Sequence, residues 1–208
     1  MKIAVVGNDI LRDELLAPGL LKGTELQWLV EPVEVPGSNG YIDLLFNQTT
    51  ERMEALKKLP PVPIIINSVT HTLHQMPENF VRINGWPTFL KRPVAEAACL
   101  RGGPKKDAER LFHCFSKTTG WVPDSPGFVS ARIVSMIINE AYFALQDKVS
   151  GKKEIDTAMK LGTHYPFGPF EWSERIGLKN ICELLTVLSF RNKRYEPALL
   201  LKEEALQL

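Results

Sequence analysis

The sequence lacks a strong excess of either charge, and it lacks long uninterrupted apolar runs. Its 25 lysine and arginine residues are almost balanced by 24 aspartate and glutamate residues, which gives a formal net charge of +1. This balance gives no electrostatic support for nucleic-acid binding. Because no apolar run approaches the roughly 20 residues that a membrane-spanning helix requires, we expect no membrane partner. The 44% share of hydrophobic residues indicates an ordinary globular protein.

Cysteine is also scarce, and its spacing carries no motif. The three cysteines lie far apart in the chain, at Cys99, Cys114 and Cys182. Without a CxxC or CxxH pattern, neither a disulfide framework nor a common zinc site is expected. His71 and His74 have the i, i+3 spacing of a helical metal site, but Glu78 is the only carboxylate close to them. We therefore predict reduced thiols and no metal.

The first 120 residues alternate short apolar runs with helix-forming segments. The chain enters a strand at once in MKIAVVGND, which leaves no room for a signal peptide, so we expect a cytoplasmic protein. Continuous apolar runs are typical of parallel strands that are buried on both faces, and they predict an α/β fold with a parallel sheet. The predicted strands are Ile3–Val6, Leu26–Val30, Ile42–Phe46 and Pro63–Ile66, with Phe80–Ile83 and Ala95–Leu100 as edge strands. The predicted helices are Ile10–Ala17, Glu51–Leu59 and Lys105–Thr118.

Beyond residue 122 the sequence changes character, because β-rich runs almost disappear. We therefore predict two domains, an abbreviated α/β domain over 1–122 and an all-α domain over 123–208. A long first helix is predicted to bury one face with 3.6-residue periodicity, formed by Val129, Ile133, Ile137, Ala141, Ala144 and Leu145. A second helix, Lys153–Leu161, is predicted to end at Gly162 as its C-cap.

Three motifs of the helical half are specific. They are Pro126-Gly127-Phe128, Asp156-Thr157-Ala158-Met159, and Tyr165-Pro166-Phe167-Gly168-Pro169-Phe170-Glu171. Together they resemble the 3-hydroxyacyl-CoA dehydrogenase family, which includes the 3-hydroxybutyryl-CoA dehydrogenases. The resemblance implies a shortened Rossmann-like domain followed by a helical domain, NAD(H) as cofactor, and the oxidation of 3-hydroxyacyl-CoA in fatty-acid metabolism. It also implies a homodimer that forms through the helical domain.

The turn after the first strand departs from the family's phosphate-binding pattern. A dinucleotide site needs G-x-G-x-x-G so that the backbone can approach the pyrophosphate. Here Gly7 is retained, whereas Asp9 and Arg12 replace the second and third glycines. Asp9 repels phosphate at close range, and Arg12 compensates only in part. Glu31, at the end of the second strand, stands where a carboxylate commonly binds the ribose, although an ordinary solvated glutamate is also expected there.

The residues that the family uses for catalysis are replaced. In the family a histidine acts as the general base on the 3-hydroxyl, and a glutamate orients it. The matching segment here places Pro87 at the histidine position, and proline cannot take a proton. The glutamate falls at Glu96, or at Cys99 if no residue is deleted. Ala131 stands where the family has an asparagine before an arginine.

One polar loop offers an alternative set of ligand-binding groups. Asn67, Ser68 and Thr70 follow the fourth strand like the N-T-S-S loop of the family, and they could bind an oxygen of an acyl-CoA-like ligand. A turn capped by its own Asn and Ser side chains explains them equally well. His71 and His74 come next, and one of them is the replacement base if a base remains.

These observations leave three hypotheses. The first is a diverged family member with weak or lost dehydrogenase activity and a degenerate NAD(H) site. The second is an active oxidoreductase that uses His71 or His74 with altered cofactor use. The third is a structural subunit that partners an active dehydrogenase. Only Pro32–Gly40 occupies the interval where the family inserts a helical hairpin that helps to hold CoA, so we expect weakened CoA binding.

Overall fold

The computed structural model describes residues 1–207 and contains two compact units, Met1–Phe128 and the chain from Val129 onward. The first unit is built from the elements β1 (Lys2–Val6), α1 (Asp9–Leu16), β2 (Glu25–Leu29), β3 (Gly40–Asp43), α2 (Thr50–Lys57), β4 (Ile64–Asn67), β5 (Phe80–Ile83), β6 (Val94–Cys99), α3 (Lys105–Cys114) and β7 (Thr118–Trp121). The second unit is built from α4 (Ser130–Gln146), α5 (Lys152–Thr163), α6 (Pro169–Ile176), α7 (Leu178–Ser189), a 3₁₀ turn (Lys193–Tyr195) and α8 (Leu199–Gln207). The predicted division at 122/123 differs from this one by the segment that contains the PGF turn.

The seven strands form one sheet in the order β2-β1-β3-β4-β5-β6-β7. All neighbours are parallel except β5 and β6, which are antiparallel. A Rossmann sheet has the order 3-2-1-4-5-6, and among residues 1–207 no strand lies outside β2 in the place of its strand 3. The predicted fold class is thereby confirmed as a shortened Rossmann-like α/β unit followed by helices.

Alternate residues of the buried strands supply the two cores of the first unit. Ile3 and Val5 pack with α1 and α3 on one face of the sheet, whereas Ala4 packs with Leu56 of α2 on the other. Such two-sided burial explains why the strands are continuous apolar runs. Because β1, β3, β4 and β5 run parallel, their carboxyl ends lie at one edge of the sheet.

Two sequence predictions for this unit are wrong. The segments Phe80–Ile83 and Ala95–Leu100 were predicted at the edge, but β5 and β6 lie inside the sheet, where β7 covers β6. The helix predicted to run to Thr118 ends at Cys114, because Ser116 adopts a left-handed conformation (φ 54°) and the chain then enters β7. The sequence did not reveal β7, because its four residues, Thr-Thr-Gly-Trp, are too few to show a clear hydrophobic period.

The helical unit corrects two further predictions. Val129 and Ile133 were expected to be buried, but they are 51% and 54% exposed. The buried face of α4 is instead rotated onto Ala131, Val134, Ser135, Ile138, Asn139, Ala141 and Tyr142. The apolar pattern could not select the face, because α4 carries apolar residues on several sides. Gly162 is not a C-cap, since α5 continues to Thr163 and ends at His164 in the left-handed conformation.

Polar contacts over long sequence distances hold the helices of this unit together. The Asp156 carboxylate accepts the N–H groups of Phe170 (2.8 Å) and Glu171 (3.2 Å) at the start of α6. The Asn139 side chain accepts from the Ala198 N–H (2.8 Å) and donates to the Glu196 carbonyl (2.9 Å) before α8. The family motifs therefore have a direct structural role. Within residues 1–207, no helix is both long and apolar enough to cross a membrane.

Candidate functional site

The carboxyl edge of the parallel strands is the place where this architecture forms ligand sites. At this edge the Asn67 amide donates to the carbonyls of Leu44 (3.2 Å) and Gly85 (3.2 Å), and it accepts the Gly85 N–H (3.0 Å). A Cβ atom at position 85 would lie 2.8 Å from Asn67 Cγ, which explains the glycine. The predicted ligand group Asn67 thus ties the ends of β3, β4 and β5 together.

A side chain of the turn between β1 and α1 caps the start of α1. Asn8 is the N-cap of α1, and its Oδ1 accepts the N–H of Leu11 at 3.0 Å. This bond satisfies one of the N–H groups that a helix N-terminus would offer to a phosphate. Asp9 adds a carboxylate to the first turn of the same helix. The helix terminus is therefore stabilised from within the chain.

The space above the retained Gly7 is lined by large side chains. A Cβ atom at Gly7 would lie 3.4 Å from Leu44 Cδ1 and 3.6 Å from a ring carbon of Trp28. The guanidinium of Arg12 lies over the Trp28 ring, 4.9 Å from its centroid. Arg12, predicted to compensate for Asp9 at a pyrophosphate, thus makes a cation–π contact with β2.

Glu31 is part of a charged cluster at the end of β2 and β3. Arg52 of α2 donates to both oxygens of the buried Asp43, each at 2.7 Å, and it also donates to the Glu31 carboxylate. Burial raises the pKa of Asp43 above its ordinary value, although the hydrogen bonds from Arg52 oppose the rise. The carboxylate predicted for a ribose thus has an internal cationic partner. A cavity of about 330 Å³ adjoins the cluster and is lined by Glu31, Asn47, Thr49, Glu51, Arg52 and Ala55.

The loop after β4 holds the remaining predicted ligand groups. Ser68 and Thr70 are buried, and the Ser68 hydroxyl donates to the His71 carbonyl at 2.9 Å. His71 is half-buried and His74 is exposed. Neither histidine lies in a helix, so their i, i+3 spacing does not place them on one helical face. Within residues 1–207, no group of three or more His, Cys, Asp and Glu side chains could hold a metal ion.

Pro87 lies in a tight turn between buried neighbours. Trp86, Thr88 and Phe89 are buried, and the Phe89 N–H donates to the Trp86 carbonyl at 3.0 Å. The Thr88 N–H donates to both carboxylate oxygens of Glu14 in α1, at 2.7 and 2.8 Å. Pro87, the residue predicted to stand at the base position, therefore belongs to a turn that is anchored to α1.

Lys117 holds the residues that follow the Pro87 turn. Its ammonium donates to the carbonyl of Arg92 at 2.7 Å and to the carbonyl of Leu90. Burial lowers the pKa of Lys117 to about 8. Two residues were predicted as the partner of the family's base. Of these, Glu96 accepts from the Asn84 amide at 3.1 Å, and burial raises the pKa of the Cys99 thiol.

Sequence reasoning missed Glu14, Lys117, and the pair Arg82 and Asp124. A charged residue in the apolar strand Phe-Val-Arg-Ile was the available signal for Arg82, because a buried charge needs a partner. Asp124, just before the PGF turn, is that partner. Nothing comparable in the sequence marks Glu14 or Lys117, whose partners are backbone groups.

The residues present do not fit a dinucleotide in its usual pose. The helix terminus is capped by Asn8, Asp9 is negatively charged, and Glu31 is paired with Arg52. Each of these features removes or opposes a contact on which the pose depends.

The strand order and the helical unit define the class, a shortened Rossmann-like protein with an all-α C-terminal domain. Residues 127–206 match the family described as 3-hydroxyacyl-CoA dehydrogenase, C-terminal domain. This helical region therefore belongs to that family's C-terminal domain, and the chain resembles the 3-hydroxyacyl-CoA dehydrogenases. The resemblance inferred from the three motifs is confirmed.

Curated relatives match about half of the chain. A 3-hydroxyadipyl-CoA dehydrogenase from Escherichia coli is 45% identical over 115 residues, which are 54% of this chain and 24% of that protein. A probable 3-hydroxybutyryl-CoA dehydrogenase from Bacillus subtilis is 35% identical over 99 residues, which are 47% of this chain and 34% of that protein. The chain thus spans about a quarter to a third of these relatives.

Solved structures resemble the fold over nearly the whole chain. An (S)-3-hydroxybutyryl-CoA dehydrogenase from Ralstonia eutropha superposes with a TM-score of 0.75 at 18% identity, covering 97% of this chain and 92% of that one. A 3-hydroxybutyryl-CoA dehydrogenase from Escherichia coli gives 0.72 at 16% identity, covering 98% of this chain and 56% of that one. At these identities the likeness supports the fold alone.

Proposed function

We propose that this chain is a 3-hydroxyacyl-CoA dehydrogenase-like protein with weak or no NAD-linked dehydrogenase activity, which retains the helical domain for assembly. The observation that carries the proposal is the Asn8 cap on α1. In the usual pose the pyrophosphate accepts hydrogen bonds from the N–H groups at the start of this helix. In this chain the Leu11 N–H already donates to the Asn8 side chain. Here a ligand phosphate would have to displace Asn8 and lie beside Asp9.

The replacement of the base supports the same proposal. Pro87 has no titratable group, and its neighbours are held by Glu14 and Lys117 in a turn with buried side chains. A general base must lie within hydrogen-bond reach of the proton that it takes. His71 and His74, which follow β4 in the chain, remain the bases to test.

Calorimetry is expected to detect no binding of NAD(H) or NADP(H) at millimolar concentration. We expect no change in nicotinamide absorbance with a short 3-hydroxyacyl-CoA, because both phosphate and ribose contacts are opposed. Asn8→Gly with Asp9→Gly is the matched variant, since it removes the cap and the charge and should strengthen nucleotide binding. Tight binding by the natural chain, with turnover that His71→Ala or His74→Ala abolishes, would show an active oxidoreductase and overturn the proposal.

We also propose that the protein forms a homodimer through the helical unit. The motif helix α5 supports this, because Leu161 is 75% exposed. Covering such an exposed apolar side chain with a partner would remove it from water, which favours association. Pairing with an active dehydrogenase is the alternative, and it is favoured by the match of residues 127–206 to the C-terminal domain of such enzymes.

A further inference from the structure

Arg82 carries a fully buried charge in the middle of β5. Its side chain has no exposed surface, and burial lowers the pKa of its guanidinium. A buried ion is stable only when it is paired and when its hydrogen bonds are satisfied. The buried guanidinium of Arg82 therefore requires hydrogen-bond acceptors from the residues around it.

Two separate segments of the first unit supply these acceptors. One is loop 68–73, whose carbonyls of Ser68 (2.9 Å), Val69 (3.3 Å) and His71 (3.3 Å) all accept from Arg82 Nη1. The other is segment 124–128. There the Asp124 carboxylate accepts from Arg82 Nε, and the Ser125 carbonyl accepts from Nη2.

The two segments are also bonded to each other. The Leu73 N–H donates to Asp124 Oδ2 at 2.9 Å, and the Gly127 N–H donates to the Val69 carbonyl at 2.8 Å. The ring of Phe128 lies 4.1 Å from the guanidinium carbon and covers the charge. Gly127 has φ 83°, a conformation that glycine adopts without strain, and this turns the PGF segment toward Arg82.

We propose that Arg82 and Asp124 form a latch that makes loop 68–73 and segment 124–128 open and close as one unit. Neither segment can leave without removing acceptors from a desolvated charge, so movement of one loosens the other. The loop contains Thr70 and His71, and the segment immediately precedes the helical unit in the chain. A contact made at the loop is thereby transmitted to the residues that lead into that unit. The latch requires neither cofactor nor catalysis, so its test is independent of the proposed function.

Hydrogen exchange of the full chain, measured by mass spectrometry, tests the latch. Asp124→Asn should raise exchange about tenfold or more in segment 124–128 and also in loop 68–73, because local opening of a cooperative unit exposes all its amides together. Asp124→Glu, which restores the charge, should lower exchange in both segments again. Arg110→Gln is the matched control. It removes the exposed partner of Asp107, a 3.0 Å ion pair at the surface, and should leave both segments unchanged.

A milder variant covers the case in which Asp124→Asn does not fold. Phe128→Leu keeps an apolar side chain and both charges but removes the ring face from Arg82. It should raise exchange in both segments by a smaller factor, while exchange in β1 and β3 stays as in the natural chain. Exchange that rises only in segment 124–128, in either variant, would overturn the proposal. A uniform rise over the whole sheet would do so as well, because it would report global unfolding.

Discussion

Lys117 illustrates how a single side chain can hold a segment that its own sequence does not mark. It is 2% exposed, and it donates to the carbonyls of Leu90 and Arg92, which follow the turn at Pro87. Backbone acceptors have no sequence signature, so this contact could not be predicted. The contacts of Glu31 with Arg52 and of Ser68 with the His71 carbonyl could not be predicted either, because these groups become neighbours only in the folded chain.

The lowered pKa of Lys117 predicts stability that rises with pH. Its ordinary pKa is 10.5 and its folded value is about 8, so between these values the unfolded chain binds more protons than the folded one. Linkage then gives an increase in the free energy of unfolding of about 2 kcal/mol between pH 8 and pH 10. Below pH 8 the lysine is charged in both states and the contribution is constant.

Urea unfolding at half-unit steps from pH 7 to pH 10 measures this increase. Lys117→Met, which cannot titrate, is the comparison and should lack the rise even though its overall stability is lower. Equal slopes for the two proteins above pH 8 would contradict the assignment.

At the scale of elements, continuous apolar runs located β1 and β4 well, because these parallel strands are buried on both faces. The runs predicted for β2 and β3 begin later than the strands themselves, which span Glu25–Leu29 and Gly40–Asp43. Apolar runs could not order the sheet or reveal β7, since neighbours across a sheet are set by tertiary packing. The predicted buried face of α4 was wrong for a related reason. The helix carries apolar residues on several sides, and contacts such as those of Asn139 with residues before α8 decide which side is covered.

The start of α6 provides a paired test of glycine positions. A Cβ atom at Gly168 would lie 2.3 Å from the Asp156 carboxyl, so Gly168→Ala should displace the group that caps α6. We expect a loss of about 1 to 3 kcal/mol in the free energy of unfolding, as for other overpacked sites.

Gly162→Ala is the matched control, because it lies in α5 with open space around it and should stabilise the helix by up to about 1 kcal/mol. Thermal or urea unfolding measures both variants. Similar effects of the two substitutions would show that contact with Asp156 is not the cause.

At the scale of the whole molecule, the proposed assembly depends on surface residues of the helical unit. Leu161 and Val149 are almost equally exposed, at 75% and 73%, but only Leu161 belongs to the motif helix α5. A charge placed inside an apolar interface is strongly unfavourable, whereas the same charge on a free surface costs little.

Leu161→Glu should therefore convert a dimer to a monomer in sedimentation velocity at micromolar concentration, and Val149→Glu should leave the dimer intact. A natural chain that is monomeric at all concentrations would contradict the homodimer. Complex formation with an added 3-hydroxyacyl-CoA dehydrogenase, abolished by Leu161→Glu, would instead favour the role of a structural subunit.

The shortened sheet also has a bearing on aggregation. Because β2 is an edge strand, it presents backbone groups that a strand from another molecule could pair with. The strand is only five residues long, and Glu25 at its start is exposed and lies 3.8 Å from the Lys2 ammonium. Short length and charge are the usual means by which proteins discourage strand-by-strand growth. The free edge of β2 is thus short and carries a charge at its first residue, two features that disfavour strand pairing between molecules.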